Sequence, residues 1–227
     1  MTRADPRAVI RSPTLDPMAA ENGIALRDDR GTDDVLRLLR TGTAAEHEDV
    51  ERTLDLLDPS LTRHRLAQVL DAMHGFWRAA EAGLDDWSAR CPADAERVDW
   101  PRRRRAALFA TDLRELGAPA TDAAPVLPSV PGTDEALGRM YVLEGSTLGG
   151  VFIDRHLAAL PELAGVTVGA FSPYGSETGA MWAAFRRATR ARAAAGGDAG
   201  TMLAAARSTF ADLAGWCRPA ALPGVPV

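Results

Sequence analysis

The sequence predicts an all-α, single-domain helical bundle, and three observations carry that prediction. Apolar residues recur at spacings of three and four through almost everything after residue 32. No two segments alternate as paired strands would, and no internal repeat is present. Residues that cap or break helices bound each periodic stretch. With 227 residues, 46% of them apolar, the chain is long enough to bury one sizeable core.

Residues 1 to 31, rich in Arg, Asp, Pro and Ala without a periodic apolar face, are expected to be an extension whose deletion is tolerated. The domain proper is expected to span 32 to 218, with 219 to 227 as a tail. Thr32 and Asp33 are suitable N-caps for a first helix in which Leu36, Leu39, Thr43, Val50, Leu54 and Leu57 share a face, until Asp58 and Pro59 end it. A second helix carries Leu66, Val69, Leu70, Met73, Phe76, Trp77, Leu84 and Trp87, all read first as core. A third spans about 100 to 116, stopping at Gly117. The stretch APATDAAPVLPSVPG, 118 to 132, is a proline-broken connection. Thr133 and Asp134 then open a helix expected to run to Leu160. A loop at 161 to 175 leads to a helix from Ser176 to Gly196 and Gly197, and a last helix ends around Trp216.

Composition excludes several function classes. A net charge of −5 and a pI near 5.4 argue against a nucleic-acid partner, and the run Arg102 to Arg105 reads as a solvated helix face. Cys91 and Cys217 are too few for a disulfide framework or a cysteine zinc site. No export signal core and no apolar stretch of about 20 residues is present, so a cytoplasmic, reducing setting without a membrane role is expected.

Two anomalies point to a site. In YVLEGSTLGG, 141 to 150, three glycines interrupt an apolar helix, each costing about 1 kcal/mol relative to alanine. Gly145 and Gly149 share a face, with Gly150 beside them, and leave a bare strip that suits either a neighbouring helix or a ligand. Ser146 and Thr147 add hydroxyls there. In the first helix, His47 fills the slot of the apolar stripe between Thr43 and Val50, so it is expected to point inward. Glu51, one turn on, is placed to hold one ring nitrogen and leave the other for a metal. An inward imidazole and a stripped helix are the two faces that a planar heme requires.

TGTAAEHEDVE (41 to 51) resembles the proximal-helix motif of heme oxygenases, and YVLEGSTLGG resembles their distal helix. The resemblance covers roughly 33 to 218, including the W-x-x-F element from Trp182 to Phe185, and is closest to the bacterial, biliverdin-producing enzymes found alongside bacteriophytochromes. It implies a single-domain helical bundle of the heme-oxygenase type. His47 would be the iron ligand, Glu51 its orienting partner, Thr43 a neighbour of heme, and Gly145, Gly149 and Gly150 the distal face.

Two departures follow. Ser146 stands where the animal enzymes carry an aspartate, so the proton path must use water, the hydroxyls of Ser146 or Thr147, or another polar group. Ala44 replaces a family lysine, which leaves Arg40, Arg186 and Arg187 as candidates for the heme propionates. The activity implied is ring opening of heme, both cofactor and substrate, to biliverdin, carbon monoxide and ferrous iron with O2. No nucleotide-binding fingerprint is present, so electrons would come from a separate ferredoxin or flavin-type reductase. A bacteriophytochrome is a candidate bilin acceptor.

Other readings are weighed on the same residues. A heme-binding carrier or sensor without turnover needs the same His47. A di-iron enzyme needs several E-x-x-H pairs, and only Asp71 with His74 approaches one. A thiaminase-like relative needs an activated cysteine, and neither Cys91 nor Cys217 has a histidine nearby. A purely structural bundle predicts no heme uptake. His64, His74 and His156 are assigned no role and read as surface or hydrogen-bonded residues.

Overall fold

The structure of the protein is a computed structural model that describes residues 34 to 221. Thr32, Asp33, the stretch 1 to 31 and the last six residues lie outside the described residues. Nine α-helices and no strand occur among the described residues: α1 Val35–Gly42, α2 Ala44–Leu54, α3 Arg63–Arg90, α4 Pro92–Arg97, α5 Ala106–Glu115, α6 Thr133–Gly145, α7 Gly150–Ala159, α8 Thr178–Ala194 and α9 Ala199–Ala221.

Three expected helices turn out to be divided. The first is kinked at Thr43, which leaves the helical range while its hydroxyl donates to the Leu39 carbonyl at 2.7 Å. Such back-bonding bends helices, and Gly42 beside it meets Leu203 of α9 too closely for a side chain. This helix starts from Asp34, whose carboxylate accepts the Leu36 amide, and ends at Asp55 in the left-handed conformation, before Pro59 is reached. The second division falls between 100 and 116, where a 3-10 turn at Trp100–Arg103 precedes α5. The third is the break at 146 to 149 described below.

α3 is the longest helix. Thr62 caps it through the Arg65 amide, and its apolar stripe from Leu66 to Trp87 is buried. The connection 118 to 132 lies along α3: Thr121 donates twice to Asp71, and the Ala123 carbonyl occupies the space a side chain at Gly75 would fill. Gly117, with φ of +74°, turns the chain out of α5 into it.

α9 organises the bundle, packing against α1, α2, α3 and α6. α6 and α9 approach to backbone distance at Gly138, where an added Cβ would lie 2.2 Å from the Met202 carbonyl and 3.1 Å from the Ala206 amide. They run parallel, since α6 begins where Asp134 accepts the Asp198 amide at the start of α9. α2 also runs parallel to α9, with Glu46 paired to Arg207 and Asp49 to Arg218. No helix among the described residues is long and apolar enough to cross a membrane.

Candidate heme site

His47 lies on α2, with Nδ1 3.8 Å from Glu51 Oε1 and its ring edge-on to Phe210 of α9. Its side chain is 31% exposed, so it borders open space and is not an interior residue as the periodicity implied. Thr43 is buried one turn before His47.

α2 and α6 both pack on α9: Gly138 of α6 meets Met202 to Ala206, and His47 of α2 meets Phe210 further along the same helix.

The glycines divide by role. An added Cβ at Gly145 would meet nothing within 4 Å, so no neighbour among the described residues demands glycine there. At Gly150 it would lie 2.2 Å from the Phe171 carbonyl, so that glycine is explained by its own neighbouring loop. Gly149 precedes α7 in helical conformation, half-buried. Gly150→Ala is expected to destabilise the fold by about 1–3 kcal/mol through overpacking against Phe171, seen as a lower denaturation midpoint.

Between them the i→i−4 ladder tightens. Thr147, Leu148 and Gly150 donate to carbonyls three residues back, and the Thr147 and Ser146 hydroxyls take the Glu144 and Leu143 carbonyls. The expected helix 133 to 160 thus breaks at the sequence that carries the hydroxyls.

A buried charge cluster braces this break, and sequence reasoning missed it. Arg103 and Arg105 are 3% and 1% exposed, which corrects the expectation of a solvated face; only Arg102 and Arg104 of the run lie at the surface. Arg103 is ion-paired with Glu144 and donates to the Val98 and Met181 carbonyls. Tyr174 donates to the other Glu144 oxygen at 2.8 Å. Arg105 lies over the Trp77 ring and donates to Ala170, Leu143 and Ser146. Glu81 accepts the Arg105 and Ala106 amides at the start of α5. Burial pushes Glu81 above the usual carboxylate range, lowers Arg105, and with Glu144 alongside raises Tyr174, which stays protonated. The four arginines are identical in sequence, so nothing local distinguished the buried pair from the exposed one.

Of the propionate candidates, Arg40 is exposed in the last turn of α1, Arg187 is exposed on α8, and Arg186 lies over Trp182, 6.0 Å from the ring centroid. Trp182 stacks on Phe185, 5.5 Å between centroids. His74 is buried, not at the surface, and its Nδ1 has no hydrogen-bond partner, while His156 bonds the Asp58 carbonyl. Among the described residues no three His, Cys, Asp or Glu side chains gather as a metal site would require, so the di-iron reading lacks its ligand set there.

No protein-family model matches the chain. Crystal structures of the NO- and CO-bound heme oxygenase from Neisseria meningitidis superpose with a TM-score of 0.67 over 86% of this chain and 99% of theirs, at 21% identity. The heme oxygenase of Leptospira interrogans superposes with a TM-score of 0.61 over 82% and 99%, at 16% identity. The chain has the heme oxygenase fold. A curated heme oxygenase from Xanthomonas campestris pv. campestris is 39% identical over 93 residues, which are 40% of this chain and 52% of that protein. The chain thus spans about half the length of that curated relative. The stretch 41 to 51 lies across the kink between α1 and α2, and the stretch 141 to 150 runs from the end of α6 through the break to the start of α7.

Both cysteines are unpaired. Cys217 is buried in α9 and its thiol is pushed up to about 12 by burial. Alkylation at pH 8 should therefore label the half-buried Cys91 well before Cys217, as peptide mapping would show.

Proposed function

We propose that the chain is a heme oxygenase that opens heme to biliverdin with release of carbon monoxide and ferrous iron. The observation that carries this reading is the heme oxygenase fold with His47 set against Glu51 on α2 and with Gly145, Gly149 and Gly150 at the break between α6 and α7. Gly145 closes α6, and an added Cβ there would meet nothing within 4 Å among the described residues.

Heme supplies an iron that binds O2 and the ring carbon that O2 attacks. His47 holds the iron through the nitrogen turned away from Glu51, and Glu51 fixes the ring orientation. Gly145 and Gly149 let backbone lie against the opposite face, and Thr43 fills space behind His47. Arg40, Arg186 and Arg187 are the candidate partners of the propionates. Electrons come from a ferredoxin or flavin-type reductase, the product passes to a bilin acceptor such as a bacteriophytochrome, and the setting is the reducing cytoplasm that two unpaired cysteines suit.

The test is reconstitution with hemin followed by reduction in air. Loss of the Soret band with growth of a bilin spectrum is the expected result. A Soret band that persists through repeated reduction would instead make the chain a heme carrier or sensor, the alternative that the missing carboxylate at Ser146 leaves open. No hemin spectrum at all would remove both. Gly145→Leu separates fold from site: the denaturation midpoint should stay within about 1 kcal/mol of wild type, since the position is open, while hemin uptake falls.

A further inference from the structure

We propose that Arg105 is a positioning residue that poises the Ser146 hydroxyl to pass protons into the site, an inference that rests on the heme reading above. Ser146 stands in the break between α6 and α7, where no carboxylate follows Gly145. The Arg105 guanidinium, enclosed by α3, the end of α6 and the 170s loop, donates from Nη2 both to the Leu143 carbonyl and to Ser146 Oγ, the latter at 2.7 Å.

The Ser146 hydroxyl in turn donates to that same Leu143 carbonyl at 2.7 Å. The carbonyl therefore has two donors. When the hydroxyl turns away, Nη2 still holds the carbonyl, so no buried acceptor is orphaned and the rotation is inexpensive. A hydroxyl that accepts from a guanidinium is also polarised and donates more strongly. Ser146 is half-buried, whereas Thr147 is buried, 3% exposed, with its hydroxyl proton on the Glu144 carbonyl. Of the two hydroxyls in the break, Ser146 is the one equipped for relay. In each transfer one proton leaves Ser146 Oγ toward the site and one from water replaces it, so serine and arginine end unchanged.

Positioning implies that the two residues act as one unit. A double-mutant cycle with Arg105→Lys and Ser146→Ala on the full chain tests this. In the hemin complex it is read by turnover against pH and by the midpoint pH of the ferric acid-to-alkaline spectral transition. In the protein without hemin it is read by amide exchange at 145 to 150. Each single change should lower turnover at least about tenfold and move the midpoint in the same direction. The double variant should add less than about twofold to the larger single effect. Arg105→Lys should also speed exchange at 145 to 150, with α3 unaffected.

Fully additive losses, or wild-type turnover and midpoint in Arg105→Lys, overturn the proposal. Should Arg105→Lys fail to fold, wild-type turnover in Ser146→Ala overturns it alone. A wild type that takes up no hemin sinks the heme reading and the proton role together. The exchange measurement then still decides the clamp, and unchanged exchange at 145 to 150 removes that as well.

Discussion

Replacing His47 by alanine is expected to abolish the histidine-type hemin spectrum and to lower turnover by more than the roughly 10- to 100-fold that loss of an outer hydrogen-bond partner brings. The imidazole is the ligand that this reading gives the iron, and Glu51→Ala, which removes only the orienting group, should fall inside that lower range. Imidazole added to the solution should restore part of the spectrum, because the His47 side chain is partly exposed and its removal opens a space that solvent reaches. The fold should barely notice, since the edge contact with Phe210 is worth about 0.5–1.5 kcal/mol. A variant with the wild-type spectrum and full turnover would remove the ligand assignment.

The largest loss of stability is expected from Glu144→Ala. Glu144 is buried, neutralises Arg103 through an ion pair and takes the Tyr174 hydroxyl on its other oxygen. Without it the Arg103 charge remains buried and unpaired, which costs about 3–5 kcal/mol. That is a large part of the roughly 5–15 kcal/mol by which a domain is stable. Arg103→Ala should lose a similar amount by stranding Glu144. Its neighbour supplies the control: Arg102 pairs with Glu177 at the surface, and Arg102→Ala should cost about 0–1 kcal/mol. Denaturant midpoints of the three variants measure this contrast. Equal, small losses at Arg102 and Arg103 would show that the buried cluster does not hold the helix break in place.

That contrast also marks where reading the sequence ended. Arg102 to Arg105 look alike in one dimension, and a charge run on a helix is ordinarily solvated. Arg103 is buried against Glu144, which Tyr174 also holds, and the Arg105 guanidinium is buried against the Ala170 and Leu143 carbonyls and the Ser146 hydroxyl, all supplied by other elements. The three glycines likewise looked equivalent. Only the Phe171 carbonyl, supplied by a loop twenty residues on, distinguishes Gly150 from Gly145.

The sequence by itself determined the helical class, the buried stripe of α3, the helix stop at Gly117 and the placing of His47 and Glu51 on one face. Each of these is settled within a few turns of chain by periodicity, capping and backbone preference. Tertiary structure alone decided which arginines lose their water, which glycine is closed in by another loop, and that α2 and α6 both pack on α9. Desolvation and close approach depend on groups distant in sequence, and the spacing of residues along the chain carries no record of them.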